Sequence, residues 1–203
     1  SRMPKIDIDL FESHINSTLV HCSALIMQNG YTIVVDGANV GFKRRGGSKT
    51  TSVGINWSDI ERLNEVLLEK KHKPLFVFNK RHKKPNAAFH RDDLDIFYSP
   101  RGQNDDLYFA YLAIKMEIPL VSNDDLSDMC LKISPSIKDW VARNRLCYEY
   151  VGETVYFYVK SDGKLFRTED IRYPICPLRH QDIFLIPYIK KEQVQWICAQ
   201  NKD

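Results

Sequence analysis

Four short apolar runs, "YTIVV" (31–35), "PLFVFN" (74–79), "LDIFYS" (94–99) and "IPLVSN" (118–123), alternate with longer stretches of helical periodicity. Strands separated by helices in this way pair in parallel, because each crossover is long enough to return the chain to the same end of the sheet. Right-handed crossovers then cover both faces with helix. The expected fold is therefore α/β, a Rossmann-like three-layer α/β/α arrangement around a parallel sheet. The helices carry signals of their own. "WSDIERLNEVLLEKKH" (57–72) sets Ile60, Leu63, Val66 and Leu67 on one stripe and opens with Ser58 and Glu61 at capping-box spacing. "DDLYFAYLAIKM" (105–116) reads as a second helix, and "LSDMCLKI" with "SPSIKDWVARN" (126–144) as further helix. Upstream, residues 9–29 space Leu10, His14, Leu19, Cys22, Leu25 and Ile26 at roughly helical intervals, with Gly30 as a C-terminal stop.

Beyond about residue 145 the pattern changes. "LCYEYV", "TVYFYV" and "KLFRT", with "SDGK" as a turn, predict antiparallel strands, and residues 172–203 mix prolines with aromatics. The expected organisation is a helical segment (1–30), a main domain (31–170) and a small β-rich accessory segment (171–203) docked on the main sheet. A chain of 203 residues suits one domain with such an appendage. No apolar run approaches the roughly 18 residues a membrane helix needs. No charged-then-apolar leader opens the sequence. Five cysteines without a CxxC pair predict reduced thiols in an intracellular protein rather than a disulfide framework.

In an open parallel sheet, ligands bind beyond the carboxyl ends of the strands. Three acidic signals fall at such ends: Asp36 after the first strand, Asp105 and Asp106 in "SPRGQNDDLYFAY", and Asp124 in "LVSNDDLSD", followed by Asp125 and Asp128. Acidic residues also favour the first turn of a helix, so the pair at 105 and 106 alone proves little. Three strand ends delivering Asp to one edge is a different matter, because the gathered charges repel and a cation relieves them. Oxygen donors without a Cys or His cluster favour Mg²⁺ or Mn²⁺ over zinc. Asn39 is expected to serve the "DGANVG" turn, and Gly37 and Gly41 to let the chain turn sharply and leave room for a phosphate. "RDDLD" (91–95) precedes its strand and is expected at the opposite, solvated edge. The net charge is only +3, but Lys43, Arg44 and Arg45 in one predicted loop and Lys80, Arg81, Lys83 and Lys84 in another follow strand ends. A carboxylate and metal site between basic loops suits hydrolysis of a phosphodiester in a polyanion. The first strand lacks a following GxGxxG, which argues against a dinucleotide cofactor.

"VVDGANVG", "NKR", "GQNDDLYFAYLA" and "LVSNDDLSD", with "IPY" and "WIC" near the end, resemble in order and spacing the metallonuclease domain of protein-only RNase P. The likeness covers residues 31–145 well and the tail loosely. It implies a PIN/NYN-like nuclease fold and Mg²⁺-dependent, two-metal-ion removal of the 5′ leader from precursor tRNA. Asp36, Asp105, Asp106 and Asp124 match the catalytic, metal-holding carboxylates, with Asn39, Asp125 and Asp128 in support. Two departures stand out. Ser127, Asp128 and Met129 replace the Arg-Asp-His that commonly ends the last motif. The accessory zinc of the family has only Cys198 as a plain match; Leu185 takes the expected His position, and His180 lies nearby. A fully ligated structural zinc is therefore not expected, and Cys176 and Cys22 would be the next ligands to consider. The N-terminal helical repeats of the family are not recognisable here, so RNA recognition is expected to need such repeats or a protein partner. The implied compartment is mitochondrial or nuclear. Degradation of other RNA by an NYN/PIN-type ribonuclease, or a catalytically silent RNA-binding subunit, are the competing readings.

Overall fold

A computed structural model of the chain describes residues 8–15, 26, 28–42, 55–82, 94–100, 104–127, 133–160, 164–169 and 171, and the backbone alone of 5–7, 161, 178–180, 183–190 and 193–200. Strand β1 (Ile33–Asp36) pairs in parallel with β2 (Pro74–Asn79) on one side and β4 (Leu120–Val121) on the other. Parallel pairing continues to β3 (Ile96–Ser99) beyond β2 and to β5 (Arg145–Val151) beyond β4. Strands β6 (Thr154–Ser161) and β7 (Lys164–Thr168) add antiparallel, so the order is β3-β2-β1-β4-β5-β6-β7. The chain builds outward from β1 in one direction and then in the other, which leaves the switch point between β1 and β4.

Side-chain alternation divides the core. Val34, Leu75, Val77 and Leu120 pack with α1 (Lys5–Ser13), α4 (Asp105–Met116) and α5 (Pro135–Asn144). Ile33, Val35, Phe76, Phe78, Val121 and Leu146 pack on the opposite face with α3 (Trp57–Glu69) and Val40 of the short α2 (Gly37–Gly41). This is the three-layer α/β/α architecture expected from the alternation.

Helix α4 is buried on every side from Tyr108 to Ile114, as a helix apolar all round should be. Helix α1 supplies its outer cover. Phe11 meets Tyr111 edge-on at 5.8 Å, while Glu12 Oε1 accepts from the Tyr111 hydroxyl at 2.9 Å and from Lys115 Nζ at 2.6 Å. Phe11 is fully buried, so Phe11→Ala should cost about 3–5 kcal/mol. Urea unfolding followed by circular dichroism checks it, and a cost under about 1 kcal/mol would mean that α1 is dispensable to α4.

The periodicity placed two features differently. Along α1 and the turn that follows it, Phe11 and Ile15 are buried, with Leu10 and His14 exposed. Leu19, Cys22 and Leu25 lie outside the described residues, Ile26 is half-buried against the core, and Gly30 does adopt left-handed backbone (φ +69°). Helix α3 is capped by Asn56, not Ser58: the Asn56 side chain accepts from Ser58 N, and its Nδ2 donates to Asp59 Oδ2 at 2.7 Å. Asn56 N is itself tied to Gly41 O, which fixes where the helix begins.

After residue 145 the predicted antiparallel strands form, and they extend the main sheet. β8 (Leu178–His180), β9 (Ile183–Lys190) and β10 (Gln193–Gln200) make a separate three-stranded antiparallel sheet, in which Leu185 stands opposite Cys198 and His180 opposite Ile183. The docking of this sheet, and the side chains of the candidate zinc ligands, fall outside the described residues. Cys147 is a buried free thiol. Among the described residues no helix is long and apolar enough to cross a membrane.

Candidate active site

Asp36 is the last residue of β1 and only 6% exposed. By alternation it shares the face of Val34, on the side where the N-terminus of α4 brings Asp105 and Asp106. The chain turns at once from β1 into α2, with Asp36 as N-cap: its Oδ1 accepts from Asn39 N at 2.9 Å. Its Oδ2 accepts from Ser122 Oγ, also at 2.9 Å, so each oxygen keeps a lone pair for another partner. The glycines of this turn have a packing cause. A Cβ on Gly37 would stand 2.3 Å from the Phe78 ring, and one on Gly41 2.6 Å from Ile55.

The carboxylates act on one another electrically. Burial pushes the Asp36 carboxyl up to about 7, with the charges of Asp106 and Asp105 adding to it against the hydrogen bonds from Asn39 and Ser122. Asp106 rises to about 6, through burial and then the charges of Asp105 and Asp124. All four predicted carboxylates are therefore within electrostatic reach of a common region. Asn104 caps α4 by accepting from Asp106 N, which places both acids in the first turn, where the helix dipole favours them. Among the described residues, no three acidic, His or Cys side chains converge closely enough to form a ready-made metal cage. The donor set nevertheless fits a hard divalent cation: carboxylate oxygens only, with the central one buried and its neighbours repelling it.

The sequence reading missed Ser122, Asn123, Arg145 and Tyr148, which hold the end of β4 against β1. Strand β4 spans two residues because the chain then makes consecutive side-chain-capped turns, with Asp124 Oδ1 accepting from Leu126 N and Asp125 Oδ1 from Ser127 N. Leu126 takes a positive φ of 54° in this turn. Asn123 substitutes for the missing ladder: its Oδ1 accepts from Tyr148 N at 2.9 Å and its Nδ2 donates to Tyr148 O at 3.0 Å. Asn39 does more than serve its own turn. Its Oδ1 accepts from Asn123 N at 3.0 Å and faces the Tyr148 hydroxyl at the same distance. Burial, Tyr150 and Asp36 push the Tyr148 phenol up, so it stays protonated and donates. Buried Arg145 reaches Ser122 O at 3.2 Å, and Ser122 Oγ also accepts from Asp124 N. Only the "LCYEYV" alternation marked Tyr148 as inward-facing, and nothing local marked Asn123.

Other predicted residues are placed apart. The Asp125 side chain is turned to Ser127, whose backbone and side-chain hydrogen bonds hold its carboxyl low, with Arg145 and Lys160 assisting. Lys80 and Arg81 lie exposed on a 3₁₀ turn (Lys80–His82) directly after β2. Lys43, Arg44, Arg45, Lys83, Lys84 and Asp128 fall outside the described residues. Of "RDDLD", Asp95 is described, half-exposed and 3.9 Å from Lys73 Nζ, at the amino end of β3 and away from the carboxylates.

A three-layer domain with acids gathered at the switch point of a mostly parallel sheet is PIN/NYN-like in architecture. No family model matches the chain. Among curated proteins, proteinaceous RNase P 2 of Arabidopsis thaliana is 27% identical over 135 residues, 60% of this chain and 25% of that protein. Proteinaceous RNase P 3 of the same plant is 26% identical over 137 residues, 60% of this chain and 23% of that protein. The crystal structure of nuclear proteinaceous RNase P 2 from A. thaliana matches with a TM-score of 0.61 at 20% identity, covering 98% of this chain and 44% of that one. A second structure of that plant's nuclear protein-only RNase P 2 gives 0.55, again at 20% identity. The relatives are thus those that the order of motifs implied, and the structural likeness shows the fold. The chain spans about a quarter of the length of the curated relatives it matches.

Proposed function

We propose that the chain is the hydrolytic domain of a metal-dependent endoribonuclease that removes the 5′ leader of precursor tRNA. The observation that carries this reading is the gathering of Asp36, Asp105, Asp106 and Asp124 at one switch point, on a fold like that of proteinaceous RNase P 2. Asp36, Asp105, Asp106 and Asp124 would hold Mg²⁺ or Mn²⁺, which when bound supply Lewis-acid activation of the phosphodiester and of the attacking water, two ions sharing the task. Asn39 and Ser122 fix both oxygens of Asp36, so the central carboxylate meets its ligand without reorganising. The Asn123–Tyr148 pairing sets where Asp124 stands relative to Asp36. Lys80 and Arg81, at the neighbouring strand end, are suited to neutralise RNA phosphates. Recognition of the folded tRNA is assigned to repeats or a partner beyond this domain, in the nucleus or mitochondria.

The test is incubation with labelled precursor tRNA and with a generic single-stranded RNA, in Mg²⁺ or in chelator, with the product ends mapped. Cleavage should require the divalent ion and leave 5′-phosphate and 3′-hydroxyl ends, because the attacking oxygen comes from water. A 2′,3′-cyclic phosphate would mean attack by the RNA's own 2′-hydroxyl and would overturn the mechanism. Faster cleavage of the generic RNA would favour a ribonuclease acting on other RNA, a reading motivated by Ser127, Asp128 and Met129.

A further inference from the structure

One aromatic pair beside the carboxylates is left outside both cores. Phe42, the residue that ends α2, is 41% exposed. Its ring meets that of His82 at 5.0 Å, inclined by 62°. His82 is held in place, since its Nε2 accepts from Arg81 Nε at 3.0 Å and Arg81 N is tied to Asn79 Oδ1 at 3.1 Å. The pair thus joins the segments that follow β1 and β2, adjacent strands of the sheet: Phe42 after α2 and His82 at the end of the 3₁₀ turn. It is also next to the acids, because the Asp105 charge reaches His82. From Phe42 the sequence runs into Lys43, Arg44 and Arg45, and from His82 into Lys83 and Lys84.

A single exposed Phe is ordinary on a protein surface. Here it is paired with an imidazole that a guanidinium fixes, at the roots of two cationic segments and beside the acidic site. We propose that Phe42, braced edge-on by His82, forms a stacking platform for one unpaired base of the RNA next to the scissile phosphate, with Lys80 and Arg81 taking the adjoining phosphates. Aromatic faces receive bases that are out of a helix, because paired bases present only their edges. Burial first, and then the Arg81 charge, hold His82 below its ordinary value, so the imidazole is neutral at pH 7 and adds no charge penalty to the stack. Stacking accepts any base, so the platform selects for single-strandedness rather than for sequence. The proposal rests on RNA being the substrate, and it does not depend on turnover.

The test uses the full chain in Ca²⁺ with two probes: a short single-stranded RNA carrying a fluorescent adenine analogue, and a blunt RNA duplex. Wild type and Phe42→Tyr should quench the analogue. Phe42→Ala should lose the quenching and bind the single strand roughly tenfold more weakly, while binding the duplex as wild type does. Equal single-strand affinity for Phe42→Ala and wild type would overturn the platform, as would an equal loss on the duplex or an equal loss in Phe42→Tyr. Failure of the wild type to bind single-stranded RNA would overturn it too. Wild-type binding and quenching without cleavage in Mg²⁺ would remove the hydrolytic reading alone, and the platform would stand on the Phe42 comparison.

Discussion

Asp36→Asn should abolish divalent-dependent RNA cleavage and, in the metal-free chain at neutral pH, raise the melting temperature. The two effects have one cause. Asn has the size of Asp; its Oδ1 can still accept from Asn39 N, and its Nδ2 can donate to the second lone pair of Ser122 Oγ. What disappears is a buried negative charge facing Asp106 and Asp105. Removing one preorganised polar partner from an active site costs about 10²–10³ in rate, and removal of the central carboxylate should cost at least ~10³. Single-turnover cleavage in Mg²⁺ measures it, and activity within tenfold of wild type would exclude Asp36 from the chemistry.

The stability half of the prediction has a definite sign. The folded carboxyl titrates at about 7 against an ordinary value of 3.8, so between those values the folded chain holds a proton that the unfolded chain has released. Stability therefore falls as pH rises through this window and levels off above it. The loss amounts to up to roughly 4 kcal/mol at pH 8, and Asp106, raised to about 6, adds in the same direction. In chelator, wild type should melt several degrees higher at pH 5 than at pH 8, and Asp36→Asn should show a clearly smaller difference. Adding Mg²⁺ at pH 8 should stabilise wild type and leave the variant nearly unmoved. A melting temperature that is the same for both chains at pH 8 in chelator would show that the buried charge is relieved by something other than a cation.

The parts of this molecule that depend on local pattern were legible. "PLFVFN" and "DDLYFAYLAIKM" coincide with β2 and α4 because each carries an unbroken buried run bounded by polar residues. Asp36 could be singled out because a carboxylate directly after an apolar strand is chemically conspicuous. The hidden parts depend on contacts between distant segments. Gly37 reads as a flexible turn residue, yet its cause is the Phe78 ring on the neighbouring strand β2. Asn56, not Ser58, caps α3, and Gly41 O holds its backbone, a tie from the end of α2 to the start of α3. The spacing puts Leu10 on the apolar stripe, and only the docking of α1 on Tyr111 shows that Phe11 takes the core position instead. The predicted metal ligands are residues whose type announces their chemistry, whereas the side chains that position them are amides, a hydroxyl and a phenol that could have served anywhere.

That hidden positioning set leads to the other large effect, for Asn123→Ala. Asn123 is the joint between β4 and β5: it receives Tyr148 N, gives to Tyr148 O and presents its own N–H to Asn39 Oδ1. The substitution leaves the backbone link to Asn39 available but strips Tyr148 N of its acceptor in a partly buried place, at a cost of about 1–3 kcal/mol. Its larger consequence is geometric. Asp124 follows directly, and its position relative to Asp36 is set through Ser122, whose Oγ touches both the Asp36 carboxylate and Asp124 N. A shift of about 1 Å in such an arrangement costs about 10²-fold in rate, and it should fall on kcat, since the basic turn at Lys80–His82 is untouched. Tyr148→Phe removes only the hydroxyl that reaches Asn39 and should lose less. Because the two side chains act on one joint, the double variant Asn123→Ala/Tyr148→Phe should lose less than the sum of the two single losses. A fall in melting temperature with kcat preserved would show that Asn123 merely holds the strands together, and strict additivity would show that Tyr148 and Asn123 act on separate joints.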